Sequence, residues 1–201
     1  MSNRAAQPER SRATLAVLAG GEGRRMGRPK GELVLNGRPI LHLLLDTLQW
    51  PGPTLLVTAP GREHPPGWER FTAEVVDPQA GQGPLRGILT ALEHSTSELV
   101  VVTAVDMPGV RSEQLDWLVD ALGQRPQLNG LLIDRRSHVE PFPSVFRAAA
   151  LATIRKRFVA GERSVRGLLR ETAFGSIAAP ETWPADVWRN LNRPEDLKSE
   201  I

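Results

Sequence analysis

Short apolar runs alternate along the chain with stretches whose apolar residues recur at helical spacing. Residues 15–18, 54–58, 71–76, 98–105, 128–133 and 174–178 read as strands. The clearest is 98–105, whose consecutive valines suit a strand covered on both faces. Residues 40–48 follow Arg38-Pro39, a proline placed to start a helix, and carry helical periodicity. Residues 85–92, 112–122, 147–160 and 164–170 also read as helices, with Ser112 as the cap of its own and Glu113 and Gln114 in the first turn. A last helix is expected to open at Pro194-Glu195-Asp196. Strands separated by helices predict βαβ units, and therefore an α/β fold on a mostly parallel sheet. No repeat or linker interrupts the pattern, so residues 13–201 are expected to form a single domain behind a disordered polar tail, residues 1–12. The Pro- and Gly-rich stretches 60–67 and 77–87 are candidate functional loops.

Composition narrows the classes. Of 201 residues, 40% are hydrophobic, enough to build a full core. The sequence pI of about 9.6 suggests a nucleic-acid binder, but the net charge is only +2. With no Cys, no Tyr and only three lysines, little titrates between neutral pH and the arginines, so a small excess of charge raises the pI. The basic residues are also spread along the chain, which argues against nucleic acid as a partner. The absence of Cys removes disulfides, thiolate metal sites and a Cys nucleophile, and fits a cytoplasmic protein. No apolar run approaches the ~18–20 residues of a membrane span, and no apolar segment stands behind the polar start as in a signal peptide.

Candidate chemistry concentrates after the first strand. Residues 18–30 hold four glycines, three arginines and Lys30. Glycines let backbone N–H groups approach an anion closely, and the cations add charge where phosphates would sit. Two familiar templates fail. A Walker A loop places Gly directly before Lys-Ser/Thr, whereas Lys30 lies between Pro29 and Gly31. The dinucleotide fingerprint begins at Gly21 and Gly23 but meets Met26 where its third Gly belongs.

Further candidates sit at strand ends, where ligands bind in open α/β sheets. Asp106, closing the valine-rich strand, is placed to hold Mg²⁺ or to cap the turn that Pro108 and Gly109 make. Asp77, before Pro78, is a ribose or metal-assisting carboxylate, or a turn residue. Lys30, and Arg25 bidentately, would offset charge building on a phosphate. Were strands 15–18 and 98–105 neighbours, the glycine loop and Asp106 would face one crevice. His42 reads as a packed helix residue, His64, His94 and His138 lack metal-ligand spacing, and Glu113, Asp116 and Asp120 read as a solvated helix face.

Leu18-Ala19-Gly20-Gly21 with Arg25-Met26-Gly27 and Lys30 resembles the molybdenum cofactor guanylyltransferases. The resemblance runs on through Gly83-Pro84-Leu85-Arg86-Gly87-Ile88, similar to that family's Gly-Pro-Leu-Ala-Gly-Ile segment, and through Asp106-Met107-Pro108, similar to its metal motif. It continues in Ala160-Gly161-Glu162-Arg163-Ser164 and in Asn190-Leu191-Asn192-Arg193-Pro194-Glu195. It implies the nucleotide-diphospho-sugar transferase fold, a three-layer α/β/α Rossmann-like arrangement.

The implied activity is transfer of GMP from GTP to the terminal phosphate of molybdopterin, with release of pyrophosphate. By position, Leu18, Ala19, Gly20, Gly21, Lys30, Thr58, Asp77, Gly83, Pro84, Leu85 and Asp106 would bind the nucleotide. Asp106 would hold Mg²⁺, and Lys30, Arg25 and Asp106 would be catalytic. Arg163, Asn190 and Asn192 would lie on the pterin side. Other molybdenum cofactor proteins and recipient molybdoenzymes are implied partners. Two positions depart from the family: Pro29 stands where Asp is usual, and Thr58 where Asn is usual. Arg28-Pro29-Lys30 is closer to the related cytidylyltransferases, so a cytidylyl- or sugar-phosphate nucleotidyltransferase, or a non-catalytic GTP-binding module, stay open.

Overall fold

The computed structural model describes residues 12–197 except 22 and 24. The tail expected over residues 1–12 thus lies, save Arg12, outside the described residues, as do Glu22 and Arg24 of the glycine loop.

The strands are β1 (Ala13–Leu18), β2 (Val34–Leu35), β3 (Arg38–Pro39), β4 (Thr54–Thr58), β5 (Ala73–Val76), β6 (Leu99–Ala104), β7 (Gly130–Arg135), β8 (His138–Arg147) and β9 (Phe174–Ala178). The helices are α1 (Ile40–Leu48), α2 (Pro84–His94), α3 (Ser112–Gly123) and α4 (Ala150–Val159). A seven-stranded sheet runs β5-β4-β1-β6-β8-β7-β9, and β2 and β3 form a separate ribbon. The first four strands are parallel, β8 is antiparallel to both neighbours, and β9 is parallel to β7. Helix α2 packs on β1, β4, β5 and β6 with α4 beside it, and α3 packs on β7 and β8. One continuous apolar core joins sheet and helices. No helix among the described residues is long and apolar enough to cross a membrane.

The chain runs β1, β4, β5 outward on one side and then crosses back to place β6 on the other side of β1. Strand order therefore reverses between β1 and β6, the position at which such sheets open a ligand crevice. Leu18 pairs with both Val57 and Ala104, and Thr58 with Val76, so all four parallel strands end level. The ladder continues one residue further: Ala19 N–H donates to Val57 O (2.8 Å), Val105 N–H to Leu18 O (3.0 Å) and Asp77 N–H to Thr58 O (2.9 Å). The glycine loop, the 59–67 loop, the 77–83 loop and the Asp106 turn thus leave from one edge.

Some elements differ from expectation. The strand expected over 71–76 begins at Ala73. Arg147 belongs to β8 rather than to the following helix, because it pairs with Leu99 and its guanidinium donates to the carbonyls of Leu128 and Leu122, both at 3.0 Å. Residues 165–170 wind as a 3₁₀ helix, as do Pro194–Leu197. Ser112 is the first residue of α3 rather than its cap; Arg111 occupies that position, and its backbone N–H donates to Gln114 Oε1 at 2.8 Å. Of the three acidic residues on that helix, only Glu113 is fully exposed; Asp116 and Asp120 are half-buried. Strand β8 had no counterpart in the periodicity: Pro141 and Pro143 interrupt it, and the β7–β8 register shifts opposite them, between Leu131 and Ile133.

Candidate functional site

The glycine loop leads not into a long helix but into a single 3₁₀ turn, Lys30–Glu32. That is why it fits neither phosphate-loop template, both of which present a helix N-terminus. Gly23 makes the turn possible: its φ is +57° and a Cβ there would lie 1.9 Å from the Arg28 carbonyl oxygen. Met26 N–H closes the turn on Gly23 O at 2.8 Å, and Met26 is buried, anchoring the loop where a dinucleotide fold would need glycine. From the 59–67 loop, Arg62 donates to Gly21 O at 3.2 Å and holds the loop from outside.

The loop delivers Lys30 to Asp106. Lys30 Nζ donates to Asp106 Oδ2 and, at 2.8 Å, to Asn192 Oδ1. Only 17% of the Lys30 side chain and 15% of that of Asp106 are exposed, so this pair is less screened than a surface salt bridge. The C-terminal segment is tied to the same turn by Leu191 N–H, which donates to Asp106 O at 2.8 Å. Gly109 allows that approach, since a Cβ at 109 would lie 1.9 Å from the Asp186 carbonyl oxygen. Gly109→Ala is therefore expected to cost about 2 kcal/mol and about 4–8 °C of Tm in a thermal melt.

A cleft of about 610 Å³ opens between these loops. Of the residues expected at the site, Leu18, Gly20, Gly21, Lys30, Asp77, Gly83, Pro84, Asp106 and Asn190 line it. Asp77 sits at the end away from the turn that follows β6. Thr90 Oγ1 donates to its Oδ1 at 2.5 Å. Burial pushes the Asp77 carboxyl above the usual carboxylate range, against the Thr90 hydrogen bond and the nearby Arg86 charge, which lower it; Glu93 adds to the rise.

Other expected residues are placed elsewhere. Thr58 turns away from the cleft and donates to Glu74 Oε1 at 2.6 Å, while its neighbour Val57 lines the cleft, as strand alternation requires. Ala19 and Leu85 are buried and contribute backbone and core. Arg25 is exposed and does not line the cleft. The Arg163 guanidinium lies 4.1 Å from the Phe158 ring centroid and donates to the carbonyls of Phe158 (2.7 Å) and Glu162 (2.9 Å). Asn192 reaches the site through Lys30. The cleft also gains Glu140, Pro141 and Phe142 from β8, which sequence reading missed along with the strand.

The donor set suits a divalent cation. The Lys30 ammonium is itself a cation seated between an anionic oxygen, Asp106 Oδ2, and a neutral one, Asn192 Oδ1. Hard oxygen donors of this kind match Mg²⁺, which commonly takes one or two carboxylates and completes its shell with waters and ligand phosphates. Among the described residues no group of three or more His, Cys, Asp or Glu gathers, so a phosphate-bearing ligand would supply the rest.

Residues 15–176 match the family described as the MobA-like NTP transferase domain. A probable molybdenum cofactor guanylyltransferase from Opitutus terrae is 34% identical, over 92% of this chain and 93% of its own length. One from Deinococcus radiodurans is 31% identical, over 92% and 91%. The crystal structure of a molybdopterin-guanine dinucleotide biosynthesis protein A from Archaeoglobus fulgidus superposes with a TM-score of 0.77 at 26% identity, covering 92% of this chain and 95% of that one.

Proposed function

The chain belongs to the molybdenum cofactor guanylyltransferases, nucleotidyltransferases of the MobA-like family, and on that premise we propose that it joins GMP from GTP to the terminal phosphate of molybdopterin. A phosphate oxygen of the pterin attacks the α-phosphorus of GTP in line. The new P–O bond forms as the bond from the α-phosphorus to the bridging oxygen breaks, and pyrophosphate leaves. The observation that carries this reading is the convergence of Lys30, Asp106 and Asn192 at one wall of a cleft whose far end holds Asp77, Gly83 and Pro84.

Each group has a part. Loop glycines 20 and 21 leave backbone room for the triphosphate. Lys30 releases Asp106 and turns its ammonium to the phosphates, stabilising charge on the α-phosphoryl group and the leaving pyrophosphate. Asp106 and Asn192 would hold Mg²⁺, which when bound neutralises phosphate oxygens and orients the triphosphate. Asp77, Gly83 and Pro84 border the nucleoside, and Asn190 lies on the pterin side. Residues 13–201 act as one domain, in the cytoplasm, with GTP and molybdopterin as substrates; other molybdenum cofactor proteins and recipient molybdoenzymes are the partners that supply molybdopterin or take the product.

The test is a nucleotide panel. With Mg²⁺, GTP is expected to bind at least about tenfold tighter than CTP, a difference of ~1.4 kcal/mol. At a hundredfold excess over Kd, GTP stabilises the fold by ~2.7 kcal/mol, read as a rise in Tm. Pyrophosphate release from GTP should require molybdopterin. Equal binding of CTP would move the assignment to the cytidylyltransferases, whose Arg-Pro-Lys pattern residues 28–30 share. Binding without turnover on supplied molybdopterin would leave a nucleotide-binding module.

A further inference from the structure

Arg86 is a buried guanidinium for which the proposed reaction has no use, and its surroundings have a defined direction. It sits in the first turn of α2, behind Gly83 and Pro84. A cation there opposes the helix dipole, which favours negative charge at that end. No carboxylate shares that turn. Its Nε donates to Thr90 Oγ1 at 3.0 Å, and one terminal nitrogen donates to Glu93 Oε2. Arg155, from α4, meets the other Glu93 oxygen at 3.2 Å, and the Phe158 ring lies 5.4 Å from the Arg86 guanidinium carbon.

Arginine can only donate, so the Thr90 hydroxyl accepts from Arg86 and must turn its own proton toward Asp77 Oδ1, 2.5 Å away. The chain of donors therefore runs one way, from Arg86 through Thr90 to Asp77. Arg86 also lies 3.9 Å from Asp77 Oδ1 directly. The charged groups facing Asp77 here are Arg86 and Glu93 from α2, with Arg155 from α4 behind Glu93. Two guanidiniums then balance two carboxylates only when Asp77 is ionised.

We infer that Arg86, acting through Thr90, is a positioning residue that holds Asp77 as an ionised, acceptor-only carboxylate, so that this end of the cleft selects a nucleoside group offering hydrogen-bond donors. The inference rests on the proposed reading that Asp77 borders the nucleoside. Two donor groups fit: the ribose diol, and the guanine edge with its N1–H and N2–H. A protonated Asp77 would itself present a donor and lose that discrimination.

The experiment compares Arg86→Met, Arg86→Lys and Thr90→Val with Asp77→Asn, by titrating GTP in the presence of Mg²⁺ across acid to neutral pH. Comparison with the unaltered protein cancels the titration of GTP itself. Thr90→Val and Arg86→Met are expected to weaken GTP about tenfold near neutral pH. They also move the acid-side loss of binding to higher pH. The change falls on KM, with kcat at saturating GTP kept, and Arg86→Lys restores part of the affinity. Inosine triphosphate, which lacks the N2 amino group, and 2′-deoxy-GTP identify the donor group by losing their sensitivity to these variants. Thr90→Val keeps volume and gives the answer should Arg86→Met fold poorly. If Asp77→Asn weakens GTP while neither Thr90→Val nor Arg86→Met changes affinity or its pH profile, lowering only Tm, the positioning role is overturned. If Asp77→Asn leaves GTP affinity unchanged, the nucleoside assignment of Asp77 falls instead.

Discussion

Replacing Lys30 with methionine is expected to lower kcat about 10²–10³-fold, the usual loss when one preorganised donor to developing charge is removed. Methionine keeps the apolar stem that lies against Gly21, whose Cβ position is 3.7 Å from the Lys30 side chain, so the loop retains its packing. What disappears is the ammonium that Asp106 and Asn192 share. Asp106, largely enclosed, is left without that partner, which costs roughly 1–3 kcal/mol in the ligand-free protein. The same change frees Asp106 Oδ2 for a cation. Mg²⁺ alone should therefore raise Tm more in Lys30→Met than in the unaltered protein, although turnover has collapsed. A variant that lost turnover with no gain in metal-only stabilisation would show that Lys30 and the metal do not compete for one oxygen. A variant with unchanged kcat would remove Lys30 from the chemistry.

The ends of this site were legible in sequence because strand ends were. Runs at 54–58 and 174–178 and the helix at 40–48 have the bounds expected, since each is a stretch of one period closed by Pro, Gly or polar residues. The glycine loop and Asp106 face one crevice because β1 and β6 are neighbours, a pairing the valine-rich run allowed but did not require. Strand β8 was hidden for a physical reason: it is held by antiparallel partners on both sides, its hairpin neighbour β7 and the sequence-distant β6, which tolerate prolines at an irregular stretch that no local pattern announces. Glu140 and Phe142 went missing from the site with it. The bond between Lys30 and Asn192 spans 162 positions; the resemblance of the Asn-Leu-Asn segment brought Asn192 to the site only on the pterin side, not to Lys30. Thr58 and Leu85 show the converse, since residues at matching positions can present backbone or core instead of a side chain to the cleft.

Asp106→Asn separates the proposed metal role from the ion pair. Asparagine keeps the size of the side chain and an oxygen that can accept from Lys30, and the Leu191 hydrogen bond to the 106 carbonyl is untouched. The ligand-free fold should accordingly melt within a few degrees of the original. Turnover should fall about 10³-fold, because in the proposed reaction several kcal/mol of charge stabilisation depend on an anionic oxygen at this position. Mg²⁺ alone should no longer raise Tm, the opposite of its effect on Lys30→Met, and GTP affinity should lose its dependence on Mg²⁺. In the proposed reaction the two residues work on one set of phosphates, so their losses should not add. The double variant Lys30→Met with Asp106→Asn is expected to turn over about as slowly as Asp106→Asn. Additive losses would place Lys30 and Asp106 in separate steps, and full activity in Asp106→Asn would exclude its carboxylate as a metal ligand.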